Sequence, residues 1–422
     1  MGMSRTTDGR SSTERAGERL GAGQGQGQVR RIADVDALRG FALLGILLVN
    51  FSVMATTHHG GGLVDASFDG PLHQAWRYLS TVLLESKFYL LFSFLFGYSF
   101  TLQIRSAERA GARPVPRFLR RCAALLVIGV LHATLLYPGD ILITYSVLGV
   151  ILLTVRGIRP RTAVRASMSV FVFCAVAFLV LGWLVWAGHL DMGANPSRAD
   201  ALAAQEALRG GFGSVVGQFV SEQPGGALMT VVVQGTPAFA AFLLGLAAGK
   251  REILADPLRH RDLLRRIQRV GFPIGLAGSV VYAHLEKNGT GMEAAGFAMT
   301  VNMLTAPLLS AAYAATVLRM LSGGRHDRLG RALAPAGRMA LTNYLTQSLV
   351  MALLFTGYGF ALVGRVAPVL VTVIALTLFA VQLVISRWWL STHAYGPVEW
   401  VLRAVTNARR PRWRKRARTE SG

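Results

Sequence analysis

The sequence predicts an all-α, polytopic membrane bundle of about ten transmembrane helices with both termini cytoplasmic. Three observations carry this prediction: an apolar composition, ten apolar runs near spanning length, and basic residues confined to alternate loops. Of the 422 residues, 52% are hydrophobic and only 16% are charged, whereas soluble domains average about 25% charged residues. So much apolar sequence excludes a disordered chain. Two cysteines, Cys122 and Cys174, are too few for a disulfide-stabilised scaffold.

The apolar runs approach the length of about 20 residues that a helix needs to cross a bilayer. They fall at roughly 40–57, 86–104, 119–137, 141–155, 164–188, 227–249, 270–285, 294–320, 339–359 and 367–386. Only Tyr137-Pro138-Gly139-Asp140 separates the third run from the fourth, which is typical of a tight turn. We expect the longest loop, at about 190–226, to be partly helical and amphipathic.

The net charge of +22 is compatible with a nucleic-acid binder, a membrane-surface binder or a multispan membrane protein. With a cytoplasmic amino terminus, the inside segments would be 1–40, 105–121, 156–165, 250–269, 319–338 and 386–422. They hold 7, 6, 4, 7, 5 and 9 Lys or Arg, which is 38 of the 44 in the chain. The positive-inside rule predicts such alternation, so the charge indicates topology and excludes a nucleic-acid groove.

Three regions follow from this pattern. Residues 1–31 are rich in Gly, Gln, Ser, Thr and Arg and contain no apolar run, which predicts a disordered basic cytoplasmic tail. Residues 32–407 would form the transmembrane helical domain. Residues 408–422 would form a second basic cytoplasmic tail, able to contact anionic lipid.

Polar residues at membrane depth are candidates for function, because charged groups there are costly and usually face a cavity or the bundle interior. Asp36 and Arg39 are three residues apart and able to pair on one helix face. An ion pair at a helix start is the plainer interpretation, and a binding site is the alternative. Asn50 lies about 16 Å beyond Arg39 along the first span. Lys87, near the outer boundary of the second span, either snorkels to the interface or serves the site.

His132 and Asp140 flank the turn between the third and fourth spans. A histidine at this depth with a carboxylate close by is suited to a general base whose imidazolium needs stabilising. The alternative is a core histidine bonded to a neighbouring helix. The sequence leaves both interpretations open, since it does not show whether the two side chains touch.

At the inner face, four arginines would converge where they could hold the phosphates of an anionic donor: Arg39, Arg338, Arg387 and Arg403. Asn343, on the ninth run, either joins this donor site or bonds a neighbouring helix, as Asn often does inside spans. No spacing of His, Cys, Asp or Glu predicts a metal site.

Five strings occur in an order that resembles a known family: LRGFALLGILLVN, KFYLLFSFLFG, GVLHATLLYPGDIL, GRMALTNYLTQS and GPVEWVLR. They resemble the signature blocks of a bacterial integral-membrane family, domain of unknown function 418 (YeiB-type), from about residue 32 to about residue 407. The family is distantly similar to transmembrane acyltransferases, including the acyltransferase-3 family and heparan-α-glucosaminide N-acetyltransferase. Those proteins take an acyl group, commonly acetyl from acetyl-CoA, and deliver it across the bilayer to a glycan or small molecule.

The resemblance implies roles for particular residues. Asp36-x-x-Arg39-Gly40 resembles the opening motif of the acyltransferase group. Asn50 stands where acyltransferase-3 proteins have a functional histidine, as an asparagine does in the heparan enzyme, so the base would come from elsewhere. His132 is the first choice. His73 is the second, because the four residues 73–76 resemble the His-x-x-Trp of the heparan enzyme's outer loop.

The leading hypothesis is therefore an acyltransferase-like protein of a bacterial plasma membrane, using acyl-CoA as a co-substrate and no permanently bound cofactor. Arg39, Arg338 and Arg403 would bind the donor, and His132 with Asp140 would deprotonate a glycan or small-molecule acceptor. Asn50 and Lys87 would polarise the acyl carbonyl. The alternatives are a transporter or exporter of a small anionic solute, and a non-catalytic envelope scaffold.

Overall fold

A computed structural model describes residues 12–57, 68–190, 197–289, 291–322 and 327–415, without the side chains of 12–32, 223–232, 292 and 327. The predicted tails fall partly outside this description. Residues 1–11 and 416–422 are not described, and residues 12–31 are described only as the backbone of the first helix.

The described chain is helical from end to end, with one isolated β-bridge between His393 and Arg414. Its helices are α1 (Ser12–Met54), α2 (Pro71–Leu83), α3 (Lys87–Arg109), α4 (Pro114–Leu135), α5 (Leu142–Thr154), α6 (Pro160–Trp186), α7 (Arg198–Arg209), α8 (Phe212–Met229), α9 (Thr236–Lys250), α10 (Arg261–Asn288), α11 (Met292–Ser322), α12 (Asp327–Arg338), α13 (Ala340–Phe355), α14 (Pro368–Thr392) and α15 (Pro397–Asn407). The all-α membrane bundle is thus confirmed.

The ten predicted runs correspond to α1, α3 to α6, α9 to α11, α13 and α14. Within the described part of the chain, six stretches are long and apolar enough to cross a membrane: Ala33–Met54, Pro71–Arg109, Pro114–Leu135, Pro160–Trp186, Glu293–Ser322 and Pro368–Thr392. The helices α5 and α13 are apolar but shorter. A π-helical turn at Thr230–Gly235 leads into α9, so the sixth run is not one continuous α-helix.

Three contacts bring four of the six basic segments together at one end of the bundle. Arg105 on α3 pairs with Glu252 just after α9, at 2.5 Å. Lys250 Nζ donates to the carbonyls of Arg156 and Ile158 at 2.6 Å each. Arg319 donates to Gln268 Oε1, which joins α11 to α10.

The remaining two basic segments reach the same end through α12. Arg338 at the end of α12 donates to the carbonyl of Ala394 at 2.8 Å. Gly337 lies against α1 so closely that an added Cβ would sit 1.8 Å from the carbonyl oxygen of Asp36. The described parts of all six basic segments therefore lie at one end, which we call the arginine end. Which side of the membrane this end faces stays a prediction.

The opposite end, called the far end, is closed by helix termini and the loop helices α7 and α8. Thr57 Oγ1 donates to the carbonyl of Ala201 at 2.7 Å, and the Gly357 N–H donates to the carbonyl of Leu208 at 2.8 Å. The expectation of helices in the loop at 190–226 is thus confirmed for α7 and α8.

Small residues allow the central helices to approach closely, as is common in membrane bundles. Where α3 crosses α9, a Cβ on Gly97 would lie 2.1 Å from the carbonyl oxygen of Phe242, and one on Gly245 would lie 2.1 Å from that of Phe94. Larger side chains would separate the two helices there. A cavity, described below, lies on another side of α3, between α1, α4 and α13.

Candidate functional site

A cavity of about 2080 Å³ opens at the arginine end and extends into the bundle between α1, α3, α4, α5 and α13. Eight arginines and four carboxylates line it, so its charge is strongly positive. The arginines are Arg39, Arg105, Arg109, Arg117, Arg121, Arg338, Arg387 and Arg403. We call this space the arginine cavity.

The opening motif of α1 contributes an ion pair to the cavity wall. Arg39 Nη1 lies 2.5 Å from Asp36 Oδ1, and its Nη2 donates to Ser99 Oγ on α3. Asp36 is buried, and its carboxylate is paired with Arg39. The predicted pair therefore exists and joins α1 to α3 while one face of Arg39 lines the cavity.

Arg121 places a buried donor at the wall of the cavity. It projects from the second turn of α4 into the cavity, and its Nε is buried with no hydrogen-bond partner among the described residues. A buried N–H donor without a partner is costly. Five donors in a fixed fork that face an open space are suited to an oxyanion such as a phosphate.

Two further arginines line the mouth of the cavity. Arg403 lies over the ring of Tyr395, 4.4 Å from guanidinium carbon to ring centroid, and donates to the Tyr395 hydroxyl at 3.2 Å. Arg338 donates to the Ala394 carbonyl. Neither forms a salt bridge with a carboxylate of the described chain, so both retain charge for a ligand.

Glu399 on α15 fixes the start of α13 beside the cavity. Its carboxylate accepts from the N–H groups of Leu341 and Thr342 at 2.7 and 2.9 Å, and from the Thr342 hydroxyl at 2.5 Å. These N–H groups belong to the first turn of α13 and have no partner within the helix. Burial raises the pKa of the Glu399 carboxyl, although the three hydrogen bonds act in the opposite direction.

Tyr344 lines the arginine cavity beside the start of α5, together with Ile141, Leu142 and Tyr145. We call this part of the cavity its inner end. The Tyr344 hydroxyl is buried beside the backbone of Ile141. Behind it, the ring of His132 lies 5.0 Å from the ring of Tyr344, centroid to centroid. One aromatic ring therefore separates the cavity from His132.

His132 and Asp140 are in direct contact. His132 Nδ1 lies 2.8 Å from Asp140 Oδ1, and both side chains are 1% exposed. The geometry follows from the turn: α4 ends with the Leu136 and Tyr137 N–H groups donating to the His132 carbonyl. Asp140 Oδ2 then accepts from the Ile143 N–H at 2.8 Å.

The other nitrogen of His132 contacts a third helix. His132 Nε2 lies 2.7 Å from Ser348 Oγ on α13. The carboxylate at Nδ1 assigns the ring proton to Nδ1, so Nε2 accepts from the Ser348 hydroxyl. Asp140, His132 and Ser348 are thus connected inside the bundle. In many acyl-transfer enzymes such an arrangement has Ser as the nucleophile, His as the general base and Asp as the residue that orients the His and stabilises its imidazolium.

Other predicted site residues lie away from the arginine cavity. Asn343 donates to the Ala336 carbonyl at 3.1 Å and to Ser386 Oγ at 3.0 Å, which is the interhelical bonding weighed above. Lys87 is fully buried and donates to the Thr81 carbonyl at 3.0 Å, where it stabilises the α2–α3 turn. Neither lines the cavity.

Asn50 and His73 are also outside the cavity lining. Asn50 is partly exposed and lies about one turn before the end of α1. His73 on α2 packs against Phe68, with 6.0 Å between ring centroids, and its Nδ1 is buried without a hydrogen-bond partner in the described chain. The roles predicted for these residues stay predictions.

The residues that sequence reasoning missed are Arg121, Tyr344 and Ser348. Arg121 is one of six basic residues in segment 105–121, and only its position on the inward face of α4 distinguishes it. Tyr344 and Ser348 both lie in the string GRMALTNYLTQS. Their spacing of four residues places them on one helix face, which was the available signal.

Together, the helical spans and the site define a class: a multispan membrane protein whose anion-attracting cavity ends beside a buried His–Asp pair. Sequence comparison finds a related family in each half of the chain. Residues 31–196 match the catalytic domain of heparan-alpha-glucosaminide N-acetyltransferase. Residues 248–409 match the family described as protein of unknown function, DUF418. The first half is thus acetyltransferase-like in sequence, and the cavity is built from both matched regions.

Relatives of similar length are found in several bacteria. The uncharacterized protein YxaH of Bacillus subtilis (strain 168) is 31% identical over 394 residues, covering 89% of this chain and 94% of the relative. The uncharacterized protein YeiB of Escherichia coli (strain K12) is 28% identical over 399 residues, covering 90% and 97%. The chain belongs to the DUF418 family of YeiB-type membrane proteins.

Proposed function

We propose that this protein is a membrane acyltransferase that binds an acyl-CoA in the arginine cavity and passes the acyl group to an envelope or small-molecule acceptor. The observation that carries the proposal is the lining of the cavity. It includes eight arginines and also Tyr344, whose ring lies 5.0 Å from the ring of His132.

The charge and length of the cavity fit a donor of this kind. Its eight arginines exceed its four carboxylates, and Asp36 and Glu399 are already occupied by internal partners. Phosphate groups would bind at Arg39, Arg121, Arg338 and Arg403, where charge-assisted hydrogen bonds are strong. From Arg121 to His132 along α4 is about 16 Å. The thin, uncharged arm of coenzyme A would span this distance and bring the thioester toward His132.

The distribution of basic residues supports an orientation. The six arginine-rich segments gather at the arginine end, and the positive-inside rule assigns that end to the cytoplasm. Acyl-CoA is produced there, so the cavity would face its donor. Acceptors would then approach from the far end or from within the bilayer.

The His132–Asp140 pair supplies the base. His132 Nε2 would take a proton from the nucleophile that forms a bond to the thioester carbonyl, and the carbon–sulfur bond would break. Asp140, at 2.8 Å from Nδ1, would stabilise the imidazolium that results. The proton would then pass to the departing coenzyme A thiolate, which leaves His132 neutral for the next cycle.

The test uses purified protein in liposomes with radiolabelled acetyl-CoA and an envelope extract. Wild-type protein is expected to release coenzyme A and label an acceptor, and His132→Ala is expected to do neither. His284→Ala is the matched control, because His284 is exposed and hydrogen-bonds only Asn288. Labelling unchanged in His132→Ala, or uptake of the intact donor with no acyl transfer, would contradict the proposal. Intact uptake would instead indicate a transporter.

Orientation has a separate test by single-cysteine labelling in whole cells. Arg161→Cys places a thiol on an exposed position near the arginine end, and Arg198→Cys places one at the start of α7 near the far end. The native Cys122 and Cys174 are buried, so background labelling is low. A membrane-impermeant maleimide is expected to label only Arg198→Cys until the membrane is opened. The reverse pattern would contradict the orientation.

A further inference from the structure

We propose that Ser348 is a nucleophile that carries the acyl group as a covalent ester between donor and acceptor. The inference rests on the proposed acyl transfer and adds an intermediate to it. The geometry behind it is the contact of Ser348 Oγ with His132 Nε2 at 2.7 Å, with Asp140 Oδ1 2.8 Å from His132 Nδ1.

The hydroxyl proton of Ser348 points to His132. A serine inside a helix usually donates to the carbonyl four residues earlier, and Ser93 and Ser322 do so at 2.7 Å. Ser348 lies 3.3 Å from the corresponding carbonyl of Tyr344, which is beyond the usual range for an O–H···O bond. His132 Nε2 is therefore the acceptor, and it is placed to remove that proton.

Asp140 orients the ring of His132 from the side opposite to Ser348. Asp140 fixes the Nδ1–H tautomer, and its second oxygen accepts from the Ile143 N–H at 2.8 Å. Gly129 makes this arrangement possible, because a Cβ there would lie 2.9 Å from Asp140 Oδ2 and 2.8 Å from the Ile143 nitrogen. A nucleophile within 3.2 Å of an oriented base is the arrangement that covalent catalysis requires.

Ser348 is also next to the inner end of the arginine cavity. Tyr344 closes the cavity one helical turn before Ser348, on the same face of α13. Displacement of the Tyr344 ring would give the cavity access to Ser348. Ser348 lies about 12 Å into α13 from Ala340, so the phosphates would remain among the arginines while the thioester reaches the hydroxyl.

Acyl transfer through Ser348 takes two steps. In the first, Ser348 Oγ attacks the thioester carbonyl, its proton moves to His132 Nε2, the carbon–sulfur bond breaks and coenzyme A leaves with that proton. In the second, an acceptor hydroxyl or amine attacks the carbonyl of the Ser348 ester and His132 takes its proton. The bond between the acyl carbon and Ser348 Oγ then breaks, and His132 returns the proton to Ser348 Oγ. Only the acyl group passes the level of Tyr344, so the charged donor never leaves the arginine end.

The test is isotope exchange with purified full-length protein in the absence of any acceptor. Radiolabelled coenzyme A is incubated with unlabelled acetyl-CoA, and label appearing in acetyl-CoA requires an acyl-enzyme. Wild-type protein is expected to catalyse exchange, and peptide mass spectrometry is expected to find the acetyl group on Ser348. Ser348→Ala is expected to lose exchange by on the order of 10³-fold or more. It should still bind acetyl-CoA, since the arginines are untouched.

Two variants control for folding. Ser167→Ala removes a buried serine hydroxyl that donates to the Ala240 carbonyl at 2.7 Å, remote from the cavity lining, and should leave exchange unchanged. Ser348→Cys should accumulate a thioester that neutral hydroxylamine releases, which a purely structural serine would not produce.

Wild-type protein that transfers acetyl groups to an envelope extract but shows no exchange and no acetyl-Ser348 would overturn this inference and leave the proposed function standing. Equal exchange in Ser348→Ala and wild type would overturn it as well. If wild-type protein neither binds nor turns over acetyl-CoA, the proposed function itself is wrong and the inference falls with it.

Discussion

Replacing Arg121 with alanine is expected to weaken acetyl-CoA binding by about 10- to 150-fold. The magnitude follows from the loss of one charge-assisted hydrogen-bonding group, worth about 1.5–3 kcal/mol, since each 1.4 kcal/mol is about tenfold in affinity. Arg121 is selected because its guanidinium lines the cavity and has an unpartnered buried Nε. Arg39, by contrast, is bound to Asp36 and Ser99, so its loss would mix structural and binding effects.

The same substitution should not destabilise the ligand-free protein. A buried donor without a partner costs about 1–3 kcal/mol in the folded state, and the alanine variant removes that cost. We therefore expect a melting temperature equal to or above that of wild type. Lower affinity together with unchanged or higher stability distinguishes a binding arginine from a structural one.

The assay is calorimetric titration of acetyl-CoA into detergent-solubilised protein, with thermal unfolding measured on the same preparations. Arg161→Ala is the control, because it removes the same charge from an exposed position outside the cavity and should change affinity by less than about twofold. Arg121→Lys should be intermediate, since lysine keeps the charge but lacks the planar fork. Wild-type affinity in Arg121→Ala would refute the assignment of the phosphate site.

Three other substitutions test the rest of the site. Tyr344→Ala should open the cavity to water and raise acetyl-CoA hydrolysis above the wild-type rate. Tyr344→Phe keeps the ring and should hydrolyse acetyl-CoA at the wild-type rate. Equal hydrolysis in the two variants would argue against a closing role for the ring. Gly129→Ala should displace Asp140, lower the free energy of unfolding by about 1–3 kcal/mol and lower acyl transfer. Gly217→Ala is the control, because its Cβ would lie in open space, and it should change neither stability nor transfer. A fully active Gly129→Ala variant would contradict the packing around Asp140. Glu399→Ala should cost about 1–3 kcal/mol, because two N–H groups at the start of α13 lose their acceptor; an unchanged melting temperature would show that water replaces the carboxylate.

The fold was accessible from sequence because its main signals are local. An apolar run of about 20 residues indicates a span whatever its neighbours are, and the basic segments indicate which loops share a side. The amphipathic helices α2 and α12 were not predicted, since they lack a long apolar run. The break before α9 depends on a π-helical turn, which the apolar run does not indicate.

The site was predictable only where its parts are close in sequence. His132 and Asp140 are eight residues apart across a tight turn, so their pairing was an open possibility that the structure turns into a contact. Ser348 is 216 residues from His132, and no local pattern joins them. Arg121 is one arginine among several neighbours in a basic segment, and only the packing of α4 shows which side chain faces the cavity.

The central claim is that the arginine cavity holds an acyl-CoA with its acyl end toward His132. A structure of the purified protein by electron cryo-microscopy with a non-hydrolysable acetyl-CoA analogue tests it most directly. We expect phosphate density beside Arg39, Arg121 and Arg338, with the acyl end at Tyr344 and that ring displaced. An analogue bound elsewhere, or a cavity occupied by lipid in the presence of saturating analogue, would contradict the account.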